Sequence, residues 1–290
     1  MSLRRCLLAA AGSALFAAWG CSAALATQEA GITEGAEAGP LFRVVSYNIR
    51  HGQGMDDVVD LDRTARVIRE LSPDLVGLQE VDRGVARSGG TDQAAALGAR
   101  LGLHAVFGAF MDYQGGAYGM AILSRFPPIG SWSIPLPEGN EPRVALAVAV
   151  SPAPGDTLVL VNVHFDWVAD DGYRLAQARA LAFVLDTLTH RHILVGDLND
   201  EPGSPTVELF RQRMGEAEKP PGERFTFVSE RRRGEIDYIF AAPAEAWRIR
   251  EVRVVPESLA SDHRPVLAVL AVLERSGTAG ARRGGLHPGH

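Results

Sequence analysis

Apolar segments of strand length alternate along this chain with segments that have helical periodicity. Residues 61–71 repeat apolar side chains with the period of an α-helix, whereas residues 143–150 alternate Val and Leu with Ala, the period of a pleated strand. Because a parallel strand pair needs a crossover between its strands, and helices are the usual crossovers, this alternation favours an α/β fold.

The two periods predict the individual elements. The predicted helices are 61–71, 91–103 with Thr91 as its N-cap, 170–188, and a short helix that begins at Ser204–Pro205. The predicted strands are 42–49, 74–81, 119–126, 143–150, 156–165, 192–198, 224–228, 235–240, 247–255 and 264–273.

Two of the strand–helix–strand units resemble each other. "SYNI", a helix and "LQE" in the first half correspond to "VNVH", a helix and "GDLN" in the second half. In both units polar residues follow the strand ends. This similarity predicts paired sheets with helices on the outside and a polar site at one rim.

The first residues have the pattern of a secretory signal peptide. Arg4 and Arg5 precede the apolar segment 7–19, which is too short to cross a bilayer, and small residues follow. Two kinds of processing fit, cleavage after Ala26 or lipid modification of Cys21. We expect simple export to the periplasm or the medium, with no transmembrane segment in the mature protein.

Composition divides the chain into four parts. We interpret residues 1–26 as the signal peptide and 27–40, which are small and polar, as a linker. Residues 41–274 form the predicted domain, and the Gly-rich residues 275–290 are a predicted disordered tail.

Charge and cysteine content exclude several kinds of function. The formal net charge is −6, which argues against avid non-specific binding to nucleic acid or anionic membranes. Cys6 and Cys21 are the only cysteines, and both lie in the predicted signal peptide. The predicted domain therefore contains no disulfide, no catalytic thiolate and no Cys-ligated zinc.

Polar side chains follow the apolar strands at several points. Taken one at a time, such residues are usually turn residues, helix caps or solvated charges. Together they supply carboxylates, imidazoles and amides, a set that suits phosphoester hydrolysis with a magnesium-like ion. The residues are Asn48, Glu80, His164, Asp197, Asn199, Asp237, Asp262 and His263.

The order of short motifs resembles that of the endonuclease/exonuclease/phosphatase family. The strings are "SYNIRHG", "LQEVD", "GMAILSRFP", "NVHFD", "GDLND", "EIDYIF" and "SDHRPV", which together span most of residues 41–272. The resemblance implies a four-layer α/β sandwich, made of two packed mixed β-sheets flanked by helices. It also implies cleavage of phosphate esters by an activated water, with Mg²⁺ or alternatively Mn²⁺ as cofactor.

The same resemblance implies a metal site. Glu80 in "LQE" corresponds to the principal metal-binding carboxylate of the family. Asn48 in "YNI" corresponds to the amide beside it, and Asp262 in "SDH" to a carboxylate that reaches the ion directly or through water.

It further implies the catalytic groups. His263 corresponds to the catalytic histidine that acts on the water, and Asp237 to the carboxylate that orients its ring. Asp197 and Asn199 correspond to residues that position the water and hold phosphoryl oxygens. His164 corresponds to a histidine that stabilises charge on the phosphorus. Which group takes the proton stays open.

The substrate is the most open question. Arg50 and the run Arg231, Arg232 and Arg233 are candidate phosphate contacts, although each also fits a solvated surface residue. The chain lacks the basic loops typical of nucleases, so we expect a monomeric enzyme that acts on a small phosphodiester or phosphomonoester. A secreted nuclease acting on DNA or RNA is the alternative. A non-catalytic binding protein on this fold would be expected to lose Glu80, Asp197 or His263, and all three are present.

Overall fold

A computed structural model describes residues 38–229 and 232–273 of the chain. The predicted signal peptide 1–26, most of the predicted linker 27–40 and the predicted tail 275–290 lie outside the described residues. Arg231 lies outside them as well. Within them, no helix is long and apolar enough to cross a membrane.

The described part contains fourteen strands and four α-helices. The strands are β1 (Ala38–Asn48), β2 (Leu75–Arg83), β3 (His104–Tyr113), β4 (Gly116–Ser124), β5 (Pro128–Pro135), β6 (Val144–Val150), β7 (Leu158–His164), β8 (Arg191–Asp197), β9 (Gly215–Glu216), β10 (Phe227–Val228), β11 (Arg233–Gly234), β12 (Asp237–Ala242), β13 (Trp247–Val254) and β14 (Val266–Leu273). The helices are α1 (Leu61–Glu70), α2 (Gln93–Leu101), α3 (Asp171–Leu185) and α4 (Pro205–Arg211).

Two mixed six-stranded sheets carry the fold. The first has the order β13-β14-β1-β2-β4-β3 and the second the order β5-β6-β7-β8-β12-β9. Each has one parallel pair at its centre, β1 with β2 and β7 with β8, and antiparallel neighbours elsewhere. The similarity between the two halves of the sequence therefore corresponds to two parallel pairs, each joined through a helix.

Three hydrophobic clusters separate four layers. The largest lies between the sheets and includes Val44, Leu146 and Val195. A second packs α1 and α2 on the first sheet, and a third packs α3 and α4 on the second. The predicted four-layer α/β sandwich of two packed mixed sheets is confirmed.

Local details differ from the predictions at several points. The N-cap of α2 is Asp92, whose side chain accepts a hydrogen bond from the amide of Ala95, and not Thr91. β1 already begins at Ala38, inside the segment predicted as linker, because its first residue pairs with Leu273 of β14. The predicted strand 224–228 shrinks to the two residues of β10. Strands β3 and β5, both at sheet edges, were not predicted.

A buried amide joins the two sheets. The side chain of Asn162 in β7 donates hydrogen bonds to the carbonyl oxygens of Leu78 (2.8 Å) and Ala121 (3.0 Å), which belong to the other sheet. Its Oδ1 accepts a hydrogen bond from Nε2 of Gln79 at 2.6 Å. The pairing of β2 with β4 shifts register between Leu78 and Val81, so the amide lies beside a β-bulge.

Removing this amide should destabilise the domain. Asn162→Ala removes the side-chain donor of two buried carbonyls and leaves Nε2 of Gln79 with only its longer contacts of 3.4 Å to Ser46 and Gly77. We therefore expect a loss of roughly 3 kcal/mol in the free energy of unfolding. Urea unfolding followed by circular dichroism measures it. Asn140→Ala, at an exposed position, is the matched control and should change stability by less than about 0.5 kcal/mol. Equal effects of the two changes would contradict a structural role for Asn162.

Candidate active site

A cleft of about 420 Å³ opens at the rim where the central strands of both sheets end. The residues with a predicted metal-binding or catalytic role that line it are Glu80, His164, Asp197, Asn199, Asp262 and His263. Asn48 and Asp237 lie buried behind them and contact them directly. The structure thus brings together all the residues for which the sequence predicts a metal-binding or catalytic role.

Strand pairing explains why these side chains meet. In the parallel pair of the second sheet His164 lies opposite Asp197, and β12 places Asp237 opposite the same residue. In the parallel pair of the first sheet Asn48 lies opposite Gln79, next to Glu80. Parallel strands end at one rim, and the packed sheets bring the two rims together.

Asp197 occupies the centre of the site and is almost fully buried. Its Oδ2 accepts a hydrogen bond from Nδ2 of Asn48 at 3.1 Å, and Nε2 of His164 and of His263 each lie 3.6 Å from it. Its Oδ1 accepts the backbone amide of Asn199 at 2.9 Å. Burial and repulsion from Asp237 raise the pKa of Asp197 to about 7, against the opposing effect of His263.

His263 and Asp237 form a buried pair. Nδ1 of His263 lies 2.9 Å from Oδ2 of Asp237, and the ring of Phe227 packs at 5.0 Å between centroids. The Ser261 hydroxyl accepts the backbone amide of His263 and donates to the carbonyl of Asn48. Asp237 and Phe227 therefore hold the imidazole and Ser261 holds its backbone, while Nε2 faces Asp197 and the cleft.

The two histidines have opposite pKa shifts. Burial lowers the pKa of His263, but Asp237, Asp197 and the hydrogen bond to Asp237 outweigh it and raise this pKa to about 10. Burial, followed by the positive charges of Arg143 and His263, lowers the pKa of His164 well below its usual value. At neutral pH and without a bound cation, the site therefore pairs a charged imidazole with a neutral one.

Backbone strain is concentrated at this rim. Glu80 has φ +57° at the bulge in β2, and Asn199 has φ +51° after β8. Arg50, just past the end of β1, has φ +46°. Left-handed backbone in non-glycine residues costs energy and is found preferentially at functional sites. The strain turns Glu80 so that its Oε1 accepts Nδ2 of Asn48 at 3.0 Å.

The side chains present fit a hard divalent cation. Glu80 and Asp262 line the cleft and offer carboxylate oxygens, the ligands that Mg²⁺ prefers. A second group, Asp197, Asp237 and His263, has ligand atoms within 4.8 Å of one another, and Oδ1 of Asp237 is buried without a hydrogen-bond partner.

Asn48 has a different geometry from that of a direct ligand. Its Nδ2 bridges Glu80 and Asp197, and its Oδ1 accepts the backbone amide of Arg50. In this arrangement Asn48 holds the two carboxylates in place and presents its amide nitrogen, not its oxygen, to Glu80.

The predicted phosphate-binding arginines do not lie together. Nε of Arg50 is 3.9 Å from Oδ2 of Asp262, so its nearest charged partner is a predicted metal ligand. Arg232 lines the cleft and contacts Glu201 at 3.4 Å, whereas Arg233 is exposed in β11 and is not among the residues that line it. Arg231 lies outside the described residues.

One wall of the cleft was not predicted from the sequence. It contains Arg87, Tyr113, Tyr118 and Arg143, and the exposed Trp167 also lines the cleft. Of these, only Arg143 had a sequence signal, a charged residue directly before the alternating strand 144–150. The others lie in segments without a motif, and their proximity depends on how β3 and β4 pack.

The fold and the cleft together define an α/β sandwich with a phosphoesterase fold. A model of the endonuclease/exonuclease/phosphatase family matches residues 45–263, and the chain belongs to this family. The family resemblance stated from the sequence motifs is therefore confirmed.

Solved structures of the family are similar to this chain. An endonuclease/exonuclease/phosphatase from Beutenbergia cavernae DSM 12333 is 27% identical, with a TM-score of 0.62, over 80% of this chain and 72% of that chain. The human Nocturnin catalytic domain with bound sulfate is 21% identical, with a TM-score of 0.63, over 82% and 95%. A mannosyl-6-phosphatase from Bacteroides thetaiotaomicron VPI-5482 is 18% identical, with a TM-score of 0.64, over 79% and 99%. The last two similarities are similarities of fold.

Replacing Asp237 should lower the pKa of His263. Asp237 is the largest of the groups that raise this pKa to about 10, so Asp237→Asn moves it down towards 6.5. The shift is measured by NMR titration of the histidine ring in the metal-free protein. In the wild type, the charged form of His263 stabilises the folded state, because its pKa is higher in the folded than in the unfolded protein. This contribution to the free energy of unfolding is fully present below about pH 6.5 and is lost as the pH rises towards 10.

Asp186→Asn, at an exposed position on the far side of the second sheet, is the control for that titration and leaves the His263 resonance unchanged. An unshifted His263 in Asp237→Asn would mean that the pair does not exist in solution.

Proposed function

We propose that the protein is an exported, Mg²⁺-dependent phosphoester hydrolase that acts on a small substrate. The observation that carries this proposal is the convergence on one cleft of Glu80 and Asp262 with the Asp197–His263–Asp237 cluster. Carboxylates for a cation and imidazoles for proton transfer and charge stabilisation are the groups that hydrolysis of a phosphoester needs.

Side chains on one side of the cleft would hold the cation and the attacking water. A divalent cation held by Glu80 and Asp262 would supply charge stabilisation to the phosphoryl oxygens and acidify a bound water. Asp237 orients the ring of His263, and His263 and Asp197 together hold the attacking water. Because His263 is already charged at neutral pH, the proton of the water goes to Asp197, whose pKa is raised to about 7. Nε2 of His263 and Oδ2 of Asp197 are 3.6 Å apart, which is beyond hydrogen-bond distance but close enough for the two groups to influence each other's titration.

The other side of the site binds the phosphoryl group. His164 is neutral and buried, and Nδ2 of Asn199 is fixed by the carbonyl of Phe165 at 3.0 Å. Both line the cleft and can donate hydrogen bonds to oxygens on which charge develops. Asn48 keeps Glu80 and Asp197 at a constant separation during this step.

The electrostatic environment favours a small substrate. Glu80, Glu141, Asp197 and Asp262 line the cleft together with Arg87, Arg143 and Arg232, so the charges of the cleft are mixed. It is the net charge of −6 of the whole chain that would repel a long polyanion. Export rests on the pattern of residues 1–26, and the same pattern leaves lipid attachment through Cys21 as an alternative route.

Removing the Glu80 carboxylate should weaken cation binding. Glu80→Gln keeps the shape of the side chain but removes its charge, so Mg²⁺ affinity should fall by more than the roughly 10–100-fold typical of an outer-shell change. Calorimetric titration of Mg²⁺ measures the affinity, and turnover of p-nitrophenyl phosphate measures the activity. Glu245→Gln, at an exposed position past the far end of β12, is the matched control. Unchanged Mg²⁺ affinity in Glu80→Gln would remove Glu80 from the site.

A small phosphoester should be turned over faster than duplex DNA. Of the two residues of the predicted arginine run that the structure describes, Arg232 lines the cleft and Arg233 does not. We therefore expect few phosphates of a duplex to be held and any DNA cleavage to show a shallow dependence on salt. The measurement is kcat/KM for both substrates over a salt series, with wild type and Arg232→Ala. Efficient DNA cleavage with a steep salt dependence that Arg232→Ala reduces would identify a nuclease instead.

A further inference from the structure

Arg143 is a buried cation in the wall of the cleft with no assigned role. It directly precedes β6, and its side chain is 2% exposed. Nη2 donates to Oε2 of Glu141 at 2.8 Å, and the guanidinium carbon lies 4.9 Å from the ring centroid of Phe110. A buried guanidinium has lost its hydration, and this costs free energy unless its N–H groups form hydrogen bonds to other acceptors.

Two of its nitrogen atoms are not used within the described chain. Nε and Nη1 of Arg143 are buried and have no hydrogen-bond partner. Buried donors without acceptors cost about 1–3 kcal/mol each, and more when the group is charged. Together with the position of Arg143 in the cleft wall, these free donors mark a place for an anion supplied by the substrate.

The neighbouring arginine shows the contrast. Arg87 lines the same cleft, but Asp82 accepts hydrogen bonds from its Nε and Nη2 at 2.9 and 2.8 Å. The rings of Tyr113 and Tyr118 lie 4.6 and 4.8 Å from its guanidinium carbon. Arg87 is therefore a structural part of the wall, whereas Arg143 has two N–H donor atoms, Nε and Nη1, without an acceptor among the described residues.

The charge of Arg143 acts at the phosphoryl end of the site. It is one of the groups that lower the pKa of His164, which lies on the strand paired with β6. Arg143 and His164 line the same cleft, and they lie near each other because β6 and β7 are paired. Glu141, its ion-pair partner, is part of the same wall.

We propose that Arg143 makes the cleft selective for phosphomonoesters over phosphodiesters, an inference that rests on the proposed phosphoester hydrolysis. A monoester carries about −1.5 to −2 charge at pH 7 and three free oxygens, one more than a diester. Glu80 and Asp262 would hold a cation that neutralises charge on these oxygens, while His164 donates to one of them and Arg143 to another. In a diester the position beside Arg143 carries a second ester group, which would face the buried Nε and Nη1 without an acceptor of full charge.

The test compares two substrates with one leaving group. Wild type, Arg143→Gln, Arg143→Lys and Arg125→Gln are assayed with Mg²⁺ on p-nitrophenyl phosphate and on bis(p-nitrophenyl) phosphate. Arg125 is the matched control, because its side chain is 61% exposed and pairs with Asp74 outside the cleft. Binding of inorganic phosphate is measured by calorimetry with and without Mg²⁺, and thermal unfolding checks that each variant is folded.

Wild type should prefer the monoester, and Arg143→Gln should lose roughly ten- to hundredfold in kcat/KM on it, the range for a hydrogen bond to a charged group. The loss on the diester should be much smaller, and phosphate binding should weaken in parallel with the loss on the monoester. Arg143→Lys should keep part of the preference because it keeps the charge. Arg125→Gln should resemble wild type.

Several results would overturn the inference. One is a wild-type preference for the diester, which decides the matter even if Arg143→Gln does not fold. Others are equal losses on both substrates, or unchanged phosphate binding in a folded Arg143→Gln. A wild type that hydrolyses neither substrate with Mg²⁺ would instead count against the proposed function, and phosphate binding would then still test Arg143 alone.

Discussion

The amide of Asn162 is the interaction on which the geometry of the site depends. It crosses the interface between the sheets and supplies donors to the carbonyls of Leu78 and Ala121. These carbonyls flank the bulge in β2, and Glu80 takes its left-handed conformation within that bulge. Three hydrogen bonds of Asn162 thus join the sheets next to the bulge that contains Glu80, whose Oε1 accepts a hydrogen bond from Asn48.

In the cleft at the rim of the two sheets, buried carboxylates lie close both to each other and to a charged imidazole. Asp197 and Asp237 repel each other, and His263 between them reduces the cost of burying both. Nδ2 of Asn48 likewise reduces the cost of placing Glu80 and Asp197 close together, because it donates a hydrogen bond to each carboxylate. The buried carboxylates of this site repel each other when no cation is bound. This repulsion agrees with the proposed phosphoester hydrolysis, in which a cation and an anionic substrate bind there together.

Strands with a regular pattern of apolar side chains could be predicted, including the edge strand β13, whereas the edge strands β3 and β5 could not. β5 begins and ends with proline and pairs only with β6, so its residues have the composition of a loop. β3 pairs only with β4 and leaves most of its side chains wholly or partly exposed, which removes the alternation that marks a strand. The wall of the cleft that contains Arg143 and Tyr118 depends on this edge, and it was missed for the same reason.

The sequence by itself determined the alternation of strands and helices, the polar side chains at the strand ends and the family motifs. These are local properties, because side-chain period and strand direction set which residues reach a rim. Only the tertiary structure decided which polar groups touch. Asn48 and Asp197 are 149 positions apart, and Ser261 and Asn48 are 213 apart. Burial, the unused donors of Arg143 and the opposite pKa shifts of His164 and His263 arise from packing between distant segments, and no local pattern encodes such packing.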